Sequence, residues 1–320
     1  MGFRLRKKVL FFSILVLILV LLNAWLSREL NPHYPSKYSE VFHPKVNADV
    51  VILGACEISQ GINPKYLEEN HLKVFNFAFA GSGPSFHLRW YKKIFQPNYP
   101  RPLYVIYGVH WGMFDATSHP RKLEHDSKYL PLHFLFDDFS DLDGLTTLIL
   151  NRVAFIRERR QLTLRLLGKG REPLDFSRYY NGFVPYARRG RVDRETNNVK
   201  PRISKAEIDA FEKLLDEFEK SKIQVILVQV PGYLPAQNFP NIEESTKLIN
   251  KIADERGIPF LDYNTERIPN VNTDPSMFSD WLHLNEKGSD AFSRVLKGDI
   301  ESFLKPKAAC DGGASLAVKF

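Results

Sequence analysis

The sequence predicts an α/β protein. The expected architecture is a three-layer α/β/α domain on a parallel sheet, preceded by one N-terminal transmembrane helix. Three observations carry this. Short, almost wholly apolar runs occur at 48–53, 73–78, 103–108, 223–230 and 259–263. Uniformly apolar runs of this length are what strands buried on both faces look like. Helical patterns alternate with these runs, which argues for parallel strands joined by crossover helices. Finally, an uncharged run at 9–26 follows Arg4, Arg6, Lys7 and Lys8.

That N-terminal run has about the length a helix needs to cross a hydrocarbon core. Basic residues on its leading side predict a cytoplasmic N-terminus and an extracytoplasmic main domain. A cleaved leader would show a shorter apolar stretch and an Ala-x-Ala-like end. Leu22-Asn23-Ala24-Trp25-Leu26 fits that poorly, so a retained single-pass signal anchor over 1–27 is expected. Residues 28–47 are polar with Pro32, Pro35 and Pro44 and read as a linker.

The domain proper is expected over 48–305. Its first strand stops at Gly54, with Ala55-Cys56-Glu57 just beyond. Pro64 opens a short helix. The second strand ends in Ala80-Gly81-Ser82-Gly83-Pro84, and a helix is expected over 85–95 with Phe86, Trp90 and Ile94 on one face. The third strand ends at Gly108-Val109-His110. A segment at about 115–200 shows no clear alternation. It is rich in arginine, reads as a basic insertion with a helix at 144–167, and could meet anionic head groups or an acidic glycan. Ser204-Lys205-Ala206-Glu207 has the capping-box pattern. It opens a helix leading to the fourth strand. A helix at 243–256 precedes the fifth strand, and a last helix over 286–303 has Asn285 placed to cap it. Residues 306–320 read as a flexible tail.

The chain has 320 residues, a formal net charge of +7 and 44% hydrophobic residues. That composition excludes a disordered, fibrous or disulfide-framework protein. Nucleic acid is not an expected partner, because the predicted side of the membrane is wrong for it. The membrane is. There are two cysteines, Cys56 and Cys310, with no metal-type spacing, and they read as unpaired thiols. His87, His119, His125 and His133 are scattered and read as surface or cap residues.

The most specific local pattern is Asp280-Trp281-Leu282-His283-Leu284-Asn285-Glu286-Lys287-Gly288. An Asp three residues before a His, ahead of a capped helix, can place its carboxylate on one ring nitrogen and leave the other as a base. Alone, Asp-x-x-His is common. In an open parallel sheet, however, chemistry gathers beyond the carboxyl ends of the strands, where Cys56 also falls.

In their order, these motifs resemble the SGNH (GDSL-like) hydrolase superfamily, a flavodoxin-like fold. They are most similar to its membrane-anchored bacterial branch of envelope-glycan acyl transferases and esterases. Gly54-Ala55-Cys56 stands where that family has Gly-Asp-Ser or Gly-Ser-Ser. Gly81 stands at its oxyanion-hole glycine, Gly108-Val109-His110 near its Gly-x-Asn, and Asp280 with His283 at its last block. The departures are Cys56 for the serine, His110 for the asparagine and Ala55 before the nucleophile.

The resemblance implies catalysis by Cys56, His283 and Asp280, with Gly81 and His110 binding the oxyanion. It implies no cofactor and no metal. The substrate would be an acyl ester of an envelope saccharide or lipid, with other envelope-assembly membrane proteins as partners. Glu57, next to the thiol, opposes thiolate formation, so a second reading stays open: an inactive SGNH-like binding or scaffold protein in envelope polysaccharide assembly. Ser59 as the nucleophile, and zinc on Cys56, Asp280 and His283, are two further alternatives, the latter with a spacing unlike structural zinc sites.

Overall fold

The computed structural model describes residues 2–30, 47–68, 72–115, 179–185, 202–236, 242–264 and 270–304, with the single positions 153, 162, 163, 166, 167, 192 and 268. The expected linker, the tail with Cys310, His119, His125, His133 and nearly all of the basic insertion with its helix lie outside the described residues. The chain divides into two units. One contains the N-terminal helix and the other contains the α/β domain.

Helix α1 runs from Gly2 to Leu30. Within its 24-residue stretch Arg6–Glu29, an 18-residue window has a mean hydropathy of 2.8, and its large side chains are exposed along the length, Phe11 at 70% and Leu21 at 60% among them. A helix this apolar and unburied is long enough to cross a membrane.

The domain is built on five parallel strands: β1 (Val50–Leu53), β2 (Val74–Asn76), β3 (Tyr104–Val109), β4 (Gln224–Gln229) and β5 (Phe260–Asp262), in the order β2-β1-β3-β4-β5. Every residue of β1 and β3 is buried, as expected of central strands covered on both faces. The strand order reverses between β1 and β3, where Val50 to Leu53 pair with Tyr104 to Tyr107. Ligand crevices of doubly wound sheets open at such a reversal.

Among the described residues, the helices of six or more residues in this domain are α2 (Cys56–Gly61), α3 (Pro84–Trp90), α4 (Lys205–Lys220), α5 (Ile242–Arg256) and α6 (Glu286–Ile300). Side chains alternate across a strand. Ile106 therefore joins Ile58, Ile62, Phe292 and Leu296 of α2 and α6 in one core layer, while Tyr107 meets Phe211 of α4 on the other face at 5.2 Å.

Two expectations change in detail. The helix predicted over 85–95 widens into a π-turn at Tyr91–Phe95, after which Phe95 stacks on Tyr99 at 5.1 Å. At α4, Ser204 is the N-cap residue but its side chain makes no cap bond. Glu207 instead accepts from the Ser85 amide and hydroxyl at 2.9 and 2.6 Å. The capping box is traded for a buried tie between α4 and the start of α3.

α2 sits unusually close to the sheet. A Cβ on Gly108 would meet Ile58 Cγ1 at 1.9 Å, and one on Gly54, at φ +153°, would meet it at 2.7 Å. Asn76, fully buried at the end of β2, donates to the carbonyls of Ile58 and Ile62, both at 3.0 Å. It thereby ties down the C-terminal end of α2, adding to the Ile62 N–H that the Ile58 carbonyl already accepts at 3.2 Å. Gly108→Ala is expected to lower stability by about 1–3 kcal/mol, because Ile58 and its backbone must move. Denaturant unfolding of the detergent-solubilised chain checks this, and an unchanged midpoint would contradict the close approach.

Candidate active site

Cys56 is the first residue of α2 and only partly buried. Its thiol donates to Glu57 Oε2 at 3.4 Å, and its Sγ lies within 4.8 Å of a His283 ring nitrogen. His283 belongs to the loop between β5 and α6. Asp280 grips this loop three ways: its Oδ1 accepts from the Leu282 and His283 amides at 2.9 and 2.8 Å, and both oxygens lie 2.9 Å from His283 Nδ1. The loop is pinned further by Ser279 N–H to the His283 carbonyl at 2.8 Å, and by Asn285, which caps α6 through Gly288. With the Asp280 carboxylate on Nδ1, that nitrogen carries the proton and Nε2 is left for the thiol.

The charges around His283 are nearly all negative. Burial alone would lower its pKa, but the Cys56 sulfur, the Asp280 hydrogen bond and the Glu57 carboxylate hold it well above 6.5. For Asp280 burial pushes upward, yet its bond to His283 keeps it below the ordinary carboxylate range. The same balance holds for Glu57, which is 6% exposed: burial raises it, while the imidazoles, its own amide and the Cys56 thiol bring it down.

His110 follows β3. Its Nδ1 accepts from the Gly112 amide at 3.1 Å, which places the ring proton on Nε2 as a donor. Glu57 Oε1 lies 3.7 Å from the same Nδ1, a charge contact rather than a hydrogen bond. Gly81 sits exposed in the loop after β2 at φ +68°, with open space where a Cβ would point. Its loop is tied to the nucleophile turn by Phe79 N–H to the Gly54 carbonyl at 2.8 Å.

Of the residues singled out in the sequence, Cys56, Asp280 and His283 come together, and His110 joins them through Glu57. Ser59 lies within α2 and is 7% exposed. Glu57, read in the sequence only as an opposing charge, is a buried member of the site. Its signal was a charged residue directly after a strand-end turn. His87 corrects an expectation: it is 2% exposed, not a surface residue, since α3 turns it inward against β3. Sγ of Cys56, a Glu57 oxygen and a His283 nitrogen lie within 4.8 Å of one another, a donor set suited to a zinc-class ion. Asp280 is not part of that set.

No protein-family model and no curated protein matches the sequence. Solved structures do match. A GDSL-like lipase from Bacteroides thetaiotaomicron is 13% identical, with 83% of this chain and 91% of that chain covered and a TM-score of 0.39. A lipase/acylhydrolase from Enterococcus faecalis is 14% identical, with 81% and 98% covered and a TM-score of 0.42. A catalytic mutant of an acetylxylan esterase from Geobacillus stearothermophilus is 12% identical, with 80% and 96% covered and a TM-score of 0.39.

Because His283 is held above its unfolded value, its protonation adds stability that is fully present below about pH 6.5 and is lost as pH rises through the folded value. Asp280→Asn removes one of the anions and is expected to bring the His283 titration down by about one pH unit or more. NMR titration of the His283 ring checks this; an unmoved curve would refute the assigned contact.

Proposed function

We propose that this chain is a membrane-anchored, thiol-dependent ester hydrolase or O-acyltransferase of SGNH type, acting on acyl esters of an envelope saccharide or lipid. The observation that carries the reading is the Asp280 carboxylate on His283 Nδ1, with the Cys56 sulfur within 4.8 Å of a His283 ring nitrogen. The remainder of the active-site assignment, and the envelope substrate, rest on the resemblance of the sequence motifs.

In this reading the resting pair is thiolate and imidazolium. The Cys56 sulfur attacks the acyl carbonyl and forms the C–S bond, and the carbonyl oxygen takes the negative charge. Donors for that oxygen are the Cys56 and Gly81 amides and His110 Nε2–H. Collapse breaks the C–O bond, and His283 gives its proton to the departing alkoxide. The thioester is then attacked by water or by an acceptor hydroxyl, whose proton returns to His283, and the thiolate leaves. Asp280 keeps the ring oriented and stabilises its charged form throughout.

Wild type is expected to turn over a chromogenic acetyl ester, with a Cys56 thioester visible by intact-mass spectrometry. Cys56→Ala should lose about three orders of magnitude or more, as removal of a nucleophile does elsewhere. Equal rates in the two proteins would exclude the thiol.

One observation favours a second reading. The buried Glu57 carboxylate accepts the Cys56 thiol proton, an arrangement that also suits a site that binds without reacting. A Cys56 that resists iodoacetamide at neutral pH, with glycan binding intact in Cys56→Ala, would select that binding or scaffold role. For the anchor, reporter fusions after residue 47 should be active only in an extracytoplasmic reporter and stay with the membrane fraction. A cytoplasmic signal would reverse the topology, and a released reporter would indicate a cleaved leader.

A further inference from the structure

A buried polar line lies under the loop that carries Gly81, and the acyl-transfer steps above do not use it. It runs from Tyr107 on β3 through His87 on α3 to Ser82, the residue after Gly81. Tyr107 OH is 2.6 Å from His87 Nδ1, and His87 Nε2 is 2.7 Å from Ser82 Oγ. Ser82 Oγ is 2.5 Å from the Phe79 carbonyl and 3.4 Å from the Gly54 carbonyl. The three residues are 1%, 2% and 3% exposed.

The chemistry of the ends sets the direction of every proton. The Phe79 and Gly54 carbonyls can only accept, so the single Ser82 hydroxyl proton points at them. Ser82 Oγ must then accept from His87, which puts the ring proton on Nε2. His87 Nδ1 is left as an acceptor, and the Tyr107 hydroxyl supplies its proton. Tyr107 is held in that protonated form: burial, with the Glu207 charge behind it, pushes its pKa well above 10. Each of the three side chains thus serves one bond in a single ordered line, and a neutral His87 satisfies it.

We propose that His87 is a positioning residue for the oxyanion pocket. Acting through Ser82, it closes the turn from Phe79 to Ser82 and clamps that turn against the Gly54 carbonyl, two residues before the nucleophile. The turn is otherwise held by few backbone bonds: Ser82 N–H to the Phe79 carbonyl is long, 3.3 Å, and Phe79 N–H reaches Gly54. Gly81, at φ +68° and exposed, has no side chain to hold it. Its N–H belongs to the Ala80–Gly81 peptide at the centre of the turn, so its direction depends on how the turn is closed at Ser82, and Ser82 is fixed by His87. A donor to an oxyanion contributes only if it is aimed before the charge forms. This role rests on the reading of Gly81 as an oxyanion donor.

Two reactions of the same thiol separate this role from general support of the fold. Acylation of Cys56 by p-nitrophenyl acetate passes through an oxyanion. Alkylation by iodoacetamide needs the thiolate and no oxyanion pocket. Both are followed at Cys56 by intact-mass spectrometry of the full detergent-solubilised chain, with glutathione as the free-thiol reference. His87→Leu and Ser82→Ala are expected to slow acylation about tenfold to a hundredfold, with alkylation within about twofold of wild type. His87→Gln, which keeps a donor near the Nε2 position, should recover most of the acylation rate.

Acylation unchanged in His87→Leu overturns the proposal. So does a parallel fall in both reactions that His87→Gln fails to rescue, since that is loss of structure alone. If the wild-type ratio of acylation to alkylation equals that of glutathione, there is no oxyanion pocket. That outcome sinks the catalytic reading itself, and this role with it.

Discussion

The domain depends on how closely α2 can approach the sheet. Ile58 occupies space that a side chain at Gly108 or Gly54 would take, so two glycines on neighbouring strands set the height of the helix. The same residue's carbonyl is held by Asn76 at the end of β2. Three adjacent strands thus fix one short helix, and that helix carries Cys56 at the point where the strand order reverses. A short helix has little stability of its own. Its position is a property of the sheet.

Electrostatics does the remaining work. Cys56, Glu57 and Asp280 place sulfur and two carboxyl groups around one imidazole, and the consequence is a His283 that stays protonated well above its ordinary value. A buried cation with three anionic neighbours is stable only while at least one of them is ionised. Glu57 is the decisive member. It stabilises the imidazolium, yet it competes with His283 for the sulfur's proton. This is why a catalytic and a binding reading of Cys56 both have a physical basis.

Much of this was legible in the sequence, for identifiable reasons. The five strands announced themselves because buried parallel strands are uniformly apolar, and Asn285 because a helix N-cap needs a short acceptor side chain. Asp280 and His283 were legible because a three-residue spacing lets one carboxylate serve both backbone and ring. What was not legible depends on contacts between distant segments. Glu207 looked like half of a capping box, but its partner is Ser85. His87 looked like one scattered histidine, and only the packing of α3 against β3 brings Tyr107 to one of its nitrogens and Ser82 to the other. Glu57 read only as a charge opposing the thiolate, because sequence carries no measure of burial.

The pairing of β3 with β4 has a consequence for how the protein comes into being. β3 ends at Val109 and β4 begins at Gln224, so the long intervening stretch must be synthesised before the centre of the sheet can close. Until then β3 presents a fully apolar edge with its backbone groups unpaired on that side. Such distant parallel pairings slow folding and leave an adhesive intermediate. The first half of the domain, with the nucleophile turn already within it, is the part of this chain most in need of a chaperone.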